Sequence, residues 1–177
     1  RLIIFQLFLA IAMVGITFIA GRQMKFLREF DSGFNTQQTI TLRAPASTNS
    51  DSLRYSRYIA FRNEVLQNSA FKSGTSSMNI PGEEIRFHDE DIHAVGSNNL
   101  KKQSFWVMWI DEGYQETFGL TLLSGRNLNL REPGPVCMVN ETAAKALGYE
   151  NPRDAVNNSI ITGEKQNITI VGVWKDY

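Results

Sequence analysis

Hydrophobic and polar positions are spread very unevenly along this chain. Residues 2 to 20, LIIFQLFLAIAMVGITFIA, carry no charge, and Gln6 and Thr17 are their only notably polar side chains. At a rise of about 1.5 Å per residue the run makes a helix of about 28 Å, close to the thickness of a bilayer core. Soluble helices rarely lack a polar face for five turns. A cleaved signal peptide has a shorter apolar centre ending in small residues, unlike the GRQMKF found here. The pattern predicts an uncleaved membrane span. Beyond it, Met24, Phe26, Leu27 and Phe30 alternate with Arg22, Lys25, Arg28 and Glu29, and positions 26, 27 and 30 share a helical face. The helix is expected to run on for two to three turns, one side packed on protein. It should stop near Asp31-Ser32-Gly33, with Gly33 as a C-cap.

The rest of the pattern mixes periods of 2 and 3.6. TITL at 39–42 predicts a strand, followed by a polar loop in which Ser50 or Asp51 can cap the next segment. Residues 52–70 predict an amphipathic helix, with Leu53, Ile59, Val65 and Leu66 at helical spacing. SGTSSMNIPGEEIRF is expected to form a short strand with a turn at Pro81-Gly82. QSFWVMWID, 103–111, predicts a strong strand with apolar residues on both faces. A short helix over EGYQETFG leads into a strand over LTLLSGR, where Gly125 can turn the chain. PVCMVN predicts a strand feeding the helix ETAAKALG, capped by Asn140, with Glu141 at its positive end and Gly148 as terminator. QNITIVGVWKDY is the most strand-like piece of all. Without a repeat or a regular βαβ alternation, the fold class is α+β.

Composition narrows the function. The 177 residues suit one domain plus an appendage, and 18 basic against 18 acidic residues give no electrostatic reason for a nucleic-acid partner. Cys137, the single cysteine, excludes an intrachain disulfide and a multi-cysteine metal site. The first residue is Arg1, and Tyr177 directly follows an apparent strand, so the chain reads as a fragment of something longer. Arg22, Lys25 and Arg28 follow the span and only Arg1 precedes it. Taken alone, that asymmetry places residues 21–177 in the cytoplasm; with the upstream residues unseen, the orientation stays open.

No phosphate-binding glycine loop or nucleophile elbow is present, which points away from an enzyme. HDEDIH, 88–93, is the one cluster that invites a metal, through His88, Asp89, Glu90, Asp91 and His93. In a strand Asp89, Asp91 and His93 share a face and His88 points away. The cluster fits no zinc spacing and reads as a solvated hairpin edge or connection, so no metal, catalytic residue or cofactor is assigned. Arg126 after Gly125 reads as tying a turn to a carboxylate rather than binding an anion. The sequons at Asn140, Asn157 and Asn167 are of the kind chance supplies in an Asn-rich chain. Phe105, Trp106, Trp109, Tyr114 and Phe118 fall within 14 residues. Most should be core, while Trp106, Trp109 and Tyr114 are candidates for a substrate or partner surface.

Several motifs, in order, resemble MacB/FtsX-type ABC transporter permeases. They are the span with its early Phe-Gln, its following Arg-Gln and the Gly-Phe-Asn at 33–35; the run WIDEGYQETFGLTLLSGRNLN; VCMVNETAAKALGYENP; and the closing ITIVGVWKDY. Where the family often has a Gly before the strand SIIT, this chain has Asn157-Asn158, and Asn tolerates the left-handed turn better than other non-Gly residues. The resemblance implies a transmembrane helix over 1–20, a stalk helix and turn over 21–32, and a periplasmic core domain over 33–177. It places residues 21–177 in the periplasm, against the one-sided charge count, with the helix in the inner membrane. Arg22, Met24, Phe26, Leu27, Phe30 and Gly33 would be the stalk through which movement passes. The implied partners are a separate cytoplasmic ABC ATPase, a second permease copy, membrane lipid and a periplasmic adaptor. The function implied is to couple ATP hydrolysis to periplasmic movement for efflux or substrate release. A ligand-binding sensor on a single-span anchor is the alternative; a pilin would carry a Glu early in the apolar run, and residues 1–20 have none.

Overall fold

The computed structural model describes residues 1–29, 32–43, 51–96, 103–129 and 131–177, without the side chains of 27–29 and 51–55. The chain divides into two compact units, Arg1–Ser32 and Gly33–Tyr177. The first is a single helix, α1 (Leu2–Glu29), of 28 residues. Its stretch Leu2–Phe26 is apolar and long enough to cross a membrane and has no buried residue. The helix passes from the apolar run into the charged one unbroken. Neither Gly15 nor Gly21 has a neighbour near its missing Cβ, so no close packing there calls for a glycine.

The second unit is built on a six-stranded sheet. Its strands are β1 (His88–Ala94), β2 (Gln103–Trp106), β3 (Leu122–Gly125), β4 (Val136–Asn140), β5 (Ser159–Ile161) and β6 (Asn167–Trp174). The helices are α2 (Asp51–Leu66), α3 (Tyr114–Phe118), α4 (Glu141–Ala146) and α5 (Pro152–Ala155). β6 is the axis. β5 pairs antiparallel with its first half at 167–169, and β3 antiparallel with its second half at 172–174. β4 runs parallel along 169–174, which leaves it the opposite edge. β1 joins β5 to β2, both antiparallel. With both faces covered, β6 is apolar almost throughout, from Ile168 to Trp174.

One core packs Ile92, Ala144, Leu147, Ala155, Ile160, Ile170 and Val173; the other packs Tyr114, Phe118, Leu120 and Trp174. The fold is α+β, as the element pattern predicts.

Several local expectations give way. Residues 39–42 form no strand, and Ile40 and Leu42 are exposed, because an alternating sequence makes a strand only where a ladder partner is present. The 52–70 helix stops at Leu66, where the Asn68 side chain accepts the Ala70 N–H and holds a turn. The 103–111 strand is cut at Trp106, and the chain continues with single bonds, Val107 N–H to Phe87 O and Met78 N–H to Trp109 O. Of the strand expected over 73–87 only the bridge Ser77–Ile110 forms. HDEDIH lies inside the sheet, between β2 and β5, rather than at a hairpin edge. α5 has no counterpart in the sequence reading, although Pro152 sits in its first turn and the Asn151 side chain accepts the Arg153 N–H. The turn before β5 survives without glycine: Asn157 takes φ 65°.

Candidate functional site

The segments that carry the family resemblance are far apart in sequence and meet at the C-terminal end of β6. Gly125 stands opposite Gly172 in the β3–β6 pair, and Arg126 N–H donates to Val171 O at 2.9 Å. A Cβ on Gly125, whose φ is +80°, would collide with the Val171 carbonyl; one on Gly172 would strike the Arg126 carbonyl and the Met138 methyl. The Gly-Arg turn and the Val-Gly-Val strand therefore need each other's missing side chains. Past Trp174, the Asp176 carboxylate accepts Thr142 N–H at 3.0 Å and Thr142 Oγ1 at 2.6 Å, bonding the first turn of α4. The Asn140 side chain accepts Ala143 N–H at 3.0 Å and caps the same helix.

The start of the folded unit lies against the same place. Gly33, at φ +74°, packs on the backbone of Asp176 and Tyr177. The Phe34 and Tyr177 rings meet edge-on at 6.2 Å, and Asn35 N–H donates to Phe118 O at 2.8 Å. Behind them Tyr114 stacks on Trp174 at 6.0 Å and meets Phe118 edge-on at 4.8 Å. Burial, with the neighbouring Tyr177 phenol, raises the Tyr114 hydroxyl above its ordinary pKa and keeps it protonated. Residues 33–35 and 176–177 thus lie side by side over an aromatic core.

Of the predicted stalk residues, Met24 and Phe26 are exposed on α1, and the Arg22 guanidinium lies 5.0 Å from the centre of the Phe18 ring. Phe30 and the Leu27 side chain lie outside the described residues. Tyr114 is a correction: it is fully buried, because α3 turns its ring onto Trp174, so it belongs to no surface. Trp106 and Trp109 are 65% and 60% exposed. Trp106 pairs with the His88 ring at 5.2 Å, and Trp109 with Phe87 at 5.0 Å.

The possible metal cluster is used internally. His88 Nε2 lies 3.1 Å from Glu90 Oε1, Asp89 accepts the Gly163 N–H, and His93 Nδ1 lies 3.3 Å from Asp91 O. Among the described residues no group of three or more His, Cys, Asp or Glu is placed to hold an ion. Arg126 pairs with Glu132 beside an open recess of about 340 Å³, tying the turn as its sequence context implies.

Sequence reasoning missed Asp111, a buried carboxylate. It accepts the hydroxyls of Tyr58 and Thr75, Ser76 N–H at 3.1 Å and Gly113 N–H at 2.9 Å. Arg62, also from α2, donates to Gly74 O at 3.0 Å and pairs with Glu112 at 3.4 Å. These polar bonds fasten α2, which has no fully buried side chain among the described residues. The Asp-Glu-Gly of the WIDEG run is the only sequence signal for it, since an Asp two residues before a Gly suits an Asx turn.

The family model for the MacB-like periplasmic core domain matches residues 2–177. No curated protein matches the sequence. Similar solved structures include two at low identity. The periplasmic region of MacB from Actinobacillus actinomycetemcomitans is 22% identical, with a TM-score of 0.44, over 72% of this chain and 57% of that one. A domain of a protein described as a permease, from Porphyromonas gingivalis, is 21% identical, with a TM-score of 0.38, over 56% of this chain and 46% of that one. The chain thus spans about half the length of each.

Proposed function

The chain belongs to the family of MacB-like periplasmic core domains, and from that premise we propose that it is the extracytoplasmic, non-enzymatic domain of an ABC transporter permease. In this reading α1 spans the inner membrane with residues 1–20 and serves as a stalk over 21–32. Residues 33–177 form the periplasmic domain. An ATPase on another chain or domain drives a pair of such permeases, and the resulting movement releases or expels a substrate, with a periplasmic adaptor as a further partner.

The observation that carries this is the reach of the family match. One model takes in both the apolar helix and the folded unit, which supports reading the helix as part of the domain's design. Two features support it. α1 keeps helical geometry through the change from apolar to charged residues, and a continuous helix carries movement that a flexible linker would lose. Gly33–Phe34 and Asp176–Tyr177 are adjacent, which suits a domain strung between membrane helices.

The test is to reconstitute the whole permease with its ATPase in nanodiscs and place spin labels at Glu164 of the two copies. The distance distribution between the labels should change when ATP is added. An unchanged distribution under turnover refutes the coupling.

A further inference from the structure

That reading makes no use of one exposed apolar row. Ser77 and Ile110 form an antiparallel bridge, and Met78 N–H donates to Trp109 O at 2.9 Å, so Met78 and Trp109 stand opposite each other on one face. Phe87 completes the row from the other side. Its carbonyl accepts the Val107 N–H, and its ring centre lies 5.0 Å from that of Trp109. Met78, Trp109 and Phe87 remain 54%, 60% and 41% exposed. Three large apolar side chains exposed side by side mark a surface that another molecule covers.

Charge selects the molecule. Phe87 lies in the middle of EEIRFHDED, 83–91, which holds five carboxylates, Glu83, Glu84, Asp89, Glu90 and Asp91, against one Arg86; Glu83 accepts the Ile80 N–H, Asp89 accepts the Gly163 N–H, and Glu90 lies 3.1 Å from His88. Arg86 lies 3.9 Å from Glu84 and offsets one carboxylate, leaving the stretch acidic. Glu84 and Glu90 are largely exposed. Such a rim repels anionic lipid and acidic polypeptides, and complements a partner that is cationic and apolar at once. We propose that the Met78–Trp109–Phe87 row and its acidic rim dock a cationic amphipathic segment of another polypeptide. The segment's apolar side chains cover the row, and its Lys or Arg side chains meet the carboxylates of 83–91. Nothing in this depends on ATP coupling, so it stands or falls apart from the transport reading.

The test uses the full chain in phosphatidylcholine nanodiscs, titrated with a fluorescent helical peptide of Leu and Lys and read by anisotropy against empty nanodiscs. Saturable binding is expected, weakened by about tenfold in Trp109→Ser and in Met78→Ser, and weakened further by salt. Trp106→Ser, whose ring lies against His88 and outside the row, should bind as the wild type does. Equal binding by the wild type and both row variants overturns the proposal, as does equal binding of a Leu–Glu peptide. Preference for anionic phosphatidylglycerol vesicles over the Lys peptide also overturns it, in favour of a lipid surface. Thermal melts check folding, and if Trp109→Ser does not fold, Met78→Ser decides.

Discussion

At the scale of single residues, the side chains that hold the domain together are few and specific. Asp111 satisfies four donors from three parts of the chain. Asp111→Ala leaves them buried without an acceptor and should cost about 3–5 kcal/mol, measured by chemical unfolding. Gly125→Ala combines a disfavoured φ with a backbone collision, and about 2–4 kcal/mol of destabilisation is expected from the same measurement. Tyr114→Ala should cost about 3–5 kcal/mol for its cavity, whereas Tyr114→Phe should cost little more than a weak hydrogen bond, about 1 kcal/mol. Burial pushes the Cys137 thiol up from an ordinary 9.0 to about 12. A raised pKa means less thiolate, so at pH 8 alkylation of the folded chain should be slower than that of the urea-unfolded chain by roughly three orders of magnitude. Equal rates would show that the thiol is not sequestered.

At the scale of elements, what could be read from the sequence depended on whether an element's determinants are local. α1, α4 and β6 announce themselves, the first by unbroken apolarity, the second by the Asn140 cap, the third by alternation and Val-Gly-Val. The 39–42 and 73–87 segments failed as strands because a strand is decided by its neighbour, which no local pattern shows. For the same reason the acidic HDEDIH went unrecognised as a strand interior to the sheet. The convergence of Gly33, Asp176 and the glycine pair at the end of β6 was equally hidden, since each motif's partner lies elsewhere in the chain. Tyr114 is core rather than surface because α3 turns its ring onto Trp174, a partner 60 residues away that the local aromatic cluster does not show. The proposed stalk belongs to this scale too. Met24→Pro removes a helix hydrogen bond and kinks α1, at about 3 kcal/mol to the helix. In the assembled permease it should abolish ATP-linked movement while leaving the melting of residues 33–177 unchanged; retained movement would deny α1 a transmitting role.

At the scale of the whole molecule, Gly33–Phe34 and Asp176–Tyr177 lie side by side in the folded unit. The central claim is that the folded unit lies outside the cytoplasm. Cysteine accessibility tests it most directly, because Cys137, half-buried and with its thiol pKa raised, contributes little background. Glu164→Cys, in the exposed turn between β5 and β6, is expressed in intact cells and treated with a membrane-impermeant maleimide. The account predicts labelling without lysis; labelling only after the inner membrane is broken would contradict it.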